Sequence, residues 1–154
     1  MIWDDFRKID PEVAELGEER FDRTGLVLIA TLRKDGWPRI SPVEPLITDG
    51  RLYLGMMWHS RKALDLLRDP RCTIHNTISN KNGTEGEFKV YGRAVDTQDL
   101  ELRQRYCKAL YEKMNWDPSA DESPFHLFSI DIESVAFAIL KDDETWIRKL
   151  WKAS

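Results

Sequence analysis

The sequence predicts a mainly β domain with flanking helices, an α+β arrangement whose antiparallel strands close a small barrel. Three observations carry that expectation. Short runs of β-formers recur along the chain, tight-turn pairs such as Asp35-Gly36 and Asp49-Gly50 separate them, and only three stretches show helical spacing. With 154 residues, 42% hydrophobic and 32% charged, residues 1–154 read as a single domain around one core.

Asp10 before Pro11 starts a helix, with Val13, Leu16, Arg20 and Phe21 at roughly helical spacing and residues 22–25 closing it. Residues 25–32 are rich in β-formers and too short for a typical helix, so they read as a strand buried on both faces. The turn at Lys34, Asp35 and Gly36 returns the chain antiparallel over residues 38–47. Pro42 and Pro45 remove ladder donors there, which places that run at an edge or bulge. Asp49-Gly50 leads into a third strand, residues 51–56, completing a meander.

Ser60 stands in the N-cap position of a helix Arg61–Arg68, with Ala63, Leu64, Leu66 and Leu67 as its apolar face and Asp69-Pro70 as its stop. Residues 71–79 and 87–95 read as strands four and five, joined by a polar loop at 80–86. A helix from Thr97 or Asp99 to Met114 follows, broken by residues 115–124. Residues 125–140 return to strand alternation, residues 141–143 turn, and the aromatic tail 146–151 suits strand or helix. No repeat, linker or low-complexity tract interrupts this order.

The net charge of −4 argues against a nucleic-acid binder, which concentrates basic residues on one face. Between Thr24 and His75, however, eight basic residues stand against five acidic ones, a balance suited to a compact anionic ligand. No apolar run approaches the roughly 18 residues of a membrane span, and Met1 leads into Trp3, Asp4 and Asp5 without a signal-like pattern, so a cytoplasmic protein is expected. Cys72 and Cys107 read as reduced, buried thiols.

The stretch Trp58, His59, Ser60, Arg61, Lys62 lies where a strand gives way to a helix. Unpaired N–H groups, the positive end of the helix dipole, a hydroxyl and two cations converge there, which is the chemistry of a phosphate cradle. The simpler alternative is a Ser-capped surface helix with two solvated cations. Arg39 and Ser41 share one face of the Pro-interrupted strand, where the arginine reaches either a ligand or solvent.

The order of these motifs resembles the pyridoxamine 5'-phosphate oxidase-like superfamily of FMN-binding split barrels, including its flavin- and deazaflavin-dependent branch. The resemblance rests on Ala30-Thr31-Leu32-Arg33-Lys34-Asp35-Gly36-Trp37-Pro38-Arg39, then Ser41-Pro42-Val43, then Gly50-Arg51-Leu52-Tyr53-Leu54. It continues through Ser60-Arg61-Lys62-Ala63, the run Leu66-Leu67-Arg68-Asp69-Pro70-Arg71, and Val90-Tyr91-Gly92-Arg93-Ala94. It implies an antiparallel split β-barrel, a phosphate-binding element at Ser60, Arg61 and Lys62 flanked by Trp58 and His59, and a ring-lining strand at Arg39, Ile40, Ser41, Pro42 and Val43. It further implies FMN, alternatively F420, held between the subunits of a homodimer, with Trp146 reaching from the partner. The longer Arg-x-Val-Leu-Leu-Lys strand and the C-terminal Trp-x-x-x-Arg-Leu-x-Pro of the vitamin-B6 oxidase are absent. The resemblance therefore extends to the barrel and not to that activity.

His59 neighbours the cradle, while His75 and His126 read as satisfied structural residues; no His/Cys spacing suits zinc, so no metal is expected. Haem ligation, known in relatives of this fold, ranks below a flavin. Ser41 and Ser60 lack a nucleophile-elbow setting, and no catalytic residue is assigned. The six tryptophans read mainly as core or interface aromatics. The expected function is hydride transfer through FMN or F420 to a small substrate, without nucleic-acid or membrane partners. The alternatives are a non-catalytic carrier of a flavin, F420 or pyridoxal phosphate, and a purely structural dimerisation domain.

Overall fold

The computed structural model describes residues 1–119, 124–142 and 144–153. Helices α1 (Trp3–Ile9) and α2 (Pro11–Thr24) lead into strands β1 (Val27–Leu32), β2 (Pro38–Val43), β3 (Pro45–Thr48) and β4 (Arg51–Met57). Then come α3 (Arg61–Arg68), β5 (Arg71–Asn76), β6 (Glu87–Asp96), α4 (Leu100–Met114), β7 (Phe125–Leu140) and β8 (Trp146–Lys152). No described helix is long and apolar enough to cross a membrane.

Asp10 Oδ1 accepts the Val13 N–H at 3.1 Å, Pro11 fills the first helical position, and Gly25 at φ 67° closes α2 with its N–H on the Phe21 carbonyl. The preceding α1 was not expected from the sequence. Seven residues do not hold a helix in water. It forms because Trp3 and Phe6 bury completely, Trp3 lying 6.1 Å from the Phe21 ring and 6.2 Å from Phe88. Each such burial contributes about 1.5–3 kcal/mol. Gly17 lets α2 lie flush on this cluster, since a Cβ there would come within 2.4 Å of Phe88.

The strands form one antiparallel sheet in the order β2-β1-β5-β6-β7-β4-β3, with β8 added to β7. The run expected as one strand over residues 38–47 is two strands. β2 pairs with β1, from Val27 opposite Val43 to Leu32 opposite Pro38, whereas β3 pairs with β4, from Pro45 opposite Leu54. These two strands occupy opposite ends of the sheet order, yet only Glu44 separates them. The sheet must therefore curl until its two edges meet, which makes it a split barrel. The inward face of β1 is Val27, Ile29 and Thr31, all buried; Leu28 on the other face is 37% exposed, so β1 is not buried on both faces as expected.

β7 is the spine of the sheet. Along one edge it pairs with β6; along the other its first half pairs with β4 and its second half with β8. The tail is thus a strand. The β6–β7 register shifts at Tyr91/Gly92, with Glu133 the extra residue on β7, and the bulge bends the strand between its two partners. Gly92 is required there, because a Cβ would lie 2.4 Å from the Asp131 carbonyl oxygen. A second core, Tyr106, Cys107 and Leu110 of α4 against Leu46, Tyr53 and Leu127, seals the far side. Both cysteines are free and buried, and burial pushes the Cys72 thiol up to about 12. The expected turn at 141–143 and loop at 115–124 include positions 143 and 120–123, outside the described residues.

Gly92→Ala is expected to destabilise the protein by about 2 kcal/mol or more, because the new methyl meets backbone and not a movable side chain. Urea unfolding midpoints of the two proteins check this; equal midpoints would mean that the bulge adapts.

Candidate functional site

β4 leaves the sheet at Met57, and Trp58 and His59 turn the chain into α3. His59 holds φ 55°, a left-handed conformation that few non-glycine residues adopt. The Ser60 N–H donates to the Met57 carbonyl and the Ser60 carbonyl accepts from Leu64, both at 3.0 Å, so Ser60 occupies the N-cap position. Its side chain does not cap. Among the described residues Ser60 Oγ is buried without a hydrogen-bond partner, and no acidic residue lies in the first turn of α3. The first N–H groups of α3 therefore lack a side-chain acceptor, beside a hydroxyl that also lacks one.

Arg61 is exposed, and among the described residues it enters no ion pair or hydrogen bond. Lys62 reaches back to β2, its Nζ donating to the Pro42 carbonyl at 2.9 Å. The two predicted segments, Arg39 to Val43 and Trp58 to Lys62, thus lie against each other. Within β2, Arg39, Ser41 and Val43 share the face of Thr31, Ile29 and Val27, while Ile40 and Pro42 point the opposite way.

Arg39 is anchored. Its Nε donates to Asp65 Oδ2 at 2.7 Å, and Thr31 Oγ1 donates to the same oxygen at 2.9 Å. Arg68 donates to Asp65 Oδ1 at 3.2 Å and to the Leu32 carbonyl. Asp65, only 4% exposed, therefore clamps α3 to β1 and β2. Burial pushes its carboxyl up, but the hydrogen bonds from Arg39, Thr31 and Arg68 outweigh it and hold the group below the ordinary aspartate range. The apolar face expected for α3 is correspondingly narrower, since Ala63 and Leu66 are buried but Leu64 and Leu67 are not.

Behind the turn lies His126 of β7, opposite Met56 in register. Its Nε2 accepts the His59 N–H at 3.2 Å, and its ring lies 4.3 Å from that of Trp58 at an interplanar angle of 11°. His59 stacks on the same indole at 4.6 Å. Asp65 and His126 were both missed as site residues. Asp65 gives a weak signal, an acid within the apolar stripe of a short helix; His126 gives none, because the β4–β7 pairing that brings it here spans about seventy residues.

On the outer face, Ile40, Leu28 and Tyr91 remain 69%, 37% and 37% exposed. Beside them runs an open groove of ≈ 290 Å³ lined by Ala30, Pro38, Arg71, Thr73, Tyr91 and neighbours. Among the described residues no cluster of His, Cys, Asp and Glu is arranged to hold a metal ion.

Barrel and sequence agree in class. The pyridoxamine 5'-phosphate oxidase family matches over residues 12–138, most of the chain. This protein belongs to that family and has its split-barrel fold. No curated protein is significantly similar in sequence. Among solved structures, the conserved hypothetical protein Rv2991 from Mycobacterium tuberculosis superposes with a TM-score of 0.67 at 19% identity, over 82% of this chain and 81% of that one. A protein from Clostridium acetobutylicum related to general stress protein 26 of B. subtilis, of the pyridoxinephosphate oxidase family, gives 0.62 at 16% identity over 91% and 93%. A heme binding protein from Mycobacterium smegmatis gives 0.62 at 17% identity over 87% of this chain and 57% of that one. At such identities the likeness is one of fold.

Asp65→Asn is expected to cost about 2 kcal/mol, less than for a fully buried pair because Arg39 and Arg68 are partly exposed. The wild-type carboxyl is depressed, so its contribution is present above the ordinary aspartate value and is lost as pH falls below about 4. Thermal melts at pH 7 and pH 3 check both statements; the gap between the two proteins should narrow in acid.

Proposed function

We propose that this chain is a flavin- or deazaflavin-dependent oxidoreductase, holding FMN, or alternatively F420, at the interface of a homodimer. The observation that carries the reading is the unpartnered Ser60 hydroxyl at the uncapped N terminus of α3. A phosphate there accepts from Ser60 Oγ, after rotation of that side chain, and from the first-turn N–H groups, while the unpaired Arg61 balances its charge. Lys62, tethered to the Pro42 carbonyl, keeps β2 against the cradle, so that the backbone edge of Arg39, Ile40, Ser41, Pro42 and Val43 borders the ring. When bound, the cofactor supplies hydride transfer through its ring system; the protein binds and orients it and shields it from water.

The exposed apolar residues on the outer face of β1, β2 and β6 support a second copy as the other wall of the site. The substrate is a small molecule. Two free, buried cysteines support a reducing, cytoplasmic setting. Haem is less well supported, since His126 Nε2 already accepts a backbone N–H, leaving His59 as the histidine at the site with a ring free to bind iron.

Titration with FMN and with F420, followed by absorbance and flavin fluorescence, is expected to give saturable binding. Arg61→Ala combined with Lys62→Ala should weaken FMN by roughly tenfold to a hundredfold, while riboflavin, which has no phosphate, changes little. Unchanged FMN affinity would remove the cradle. Tight binding with no acceleration of transfer to any acceptor beyond the free cofactor would favour the carrier.

A further inference from the structure

We infer that His126 is the positioning residue of the cradle: its neutral ring holds the Trp58, His59, Ser60 turn in the shape that offers Ser60 and the α3 N terminus to a phosphate, and protonation releases that turn. The inference rests on the reading that the turn binds a phosphorylated cofactor.

The geometry requires a particular form of the imidazole. Because Nε2 accepts the His59 N–H, it carries a lone pair, and the ring proton lies on Nδ1. A second proton at Nε2 would face one N–H with another. The bond is lost, and of the turn's two described ties to His126, the hydrogen bond at His59 and the ring stack at Trp58, only the stack remains. The hydrogen bond is spent where the backbone is least comfortable, at His59 with φ 55°, a conformation that costs about 1 kcal/mol or more without support. The near-parallel contact between the His126 and Trp58 rings holds the preceding residue of the same turn. Ser60 follows immediately, so a movement at His59 is felt at the cradle.

Burial of His126, on the face of β7 that carries Phe128 and away from α4, disfavours the charged form. Of the charges around it, Asp96 at the end of β6 favours protonation, whereas His59 on the turn and Arg103 on α4 oppose it. The net effect keeps the ring neutral below the ordinary histidine range. The turn is therefore held through neutral pH and released only in acid.

The test uses the full chain, with His126→Phe keeping a flat ring without an acceptor and His126→Gln offering an amide oxygen that does not titrate. In the cofactor-free protein, the His59 amide NMR resonance is expected to move with the His126 imidazole titration, at a pH below 6.5. FMN affinity, read by fluorescence between pH 5 and 8, should fall about five- to tenfold over the same range, the worth of one hydrogen bond. That fall is measured relative to His126→Gln, which carries the cofactor phosphate's own ionisation. His126→Phe should bind FMN more weakly by a similar factor at pH 8, and His126→Gln should recover most of it. A His59 amide that ignores the imidazole titration, or a His126→Phe protein that binds FMN like the wild type, overturns the inference. If no form binds FMN at any pH, the function proposed above fails, and the amide titration alone then decides whether His126 holds the turn.

Discussion

The single residue Glu44 between β2 and β3 is the constraint on which the rest of the architecture depends. The two strands it joins belong to opposite ends of the sheet order, so a flat sheet is impossible and the curl follows from chain connectivity alone. Pro42 and Pro45 bracket this corner. Neither can donate to a ladder, and each lies where a strand ends or changes partner, so the corner leaves few backbone donors unpaired. With β2 folded back against β4, the Pro42 carbonyl meets Lys62 and the guanidinium of Arg39 meets Asp65.

The cations of this region consequently divide by task. Arg39 and Arg68 are committed to Asp65, a buried carboxylate whose hydrogen bonds fix the orientation of α3. Arg61 has no such commitment among the described residues, and the hydroxyl before it is likewise unpartnered. Structural charge is buried and paired, while the charge left over lies at the positive end of a helix. This separation makes the proposed phosphate site compatible with a stable fold. The clamp positions the helix without occupying the Ser60 hydroxyl or Arg61.

β7 imposes a second level of order. Its bulge at Glu133 lets one strand serve two partners, β4 near its start and β8 near its end. The half paired with β4 carries His126 beneath the turn, so the conformation of Trp58, His59 and Ser60 depends on a strand far away in sequence. In effect the site is braced from two sides, by ions through Asp65 and by a ring stack and hydrogen bond through His126.

Periodicity and turn residues were enough to place α2, α3, α4 and most strands, because helix caps, hairpin glycines and alternation are local signals. The segments that form the candidate site were legible for the same reason: a hydroxyl and two cations at a strand-to-helix junction carry their physics in adjacent residues. Tertiary structure decided the rest. α1 exists only because Trp3 and Phe6 find the Phe21 and Phe88 rings, and the run 38–47 divides because its halves pair with strands at opposite sheet edges. Arg39 turned toward Asp65, 26 residues away, and His126 toward His59, 67 residues away, in contacts that no local pattern encodes. The sequence by itself determined the elements and the chemistry each offers; only the closed sheet decided which groups are spent on each other and which stay free, because long-range pairing sets those distances.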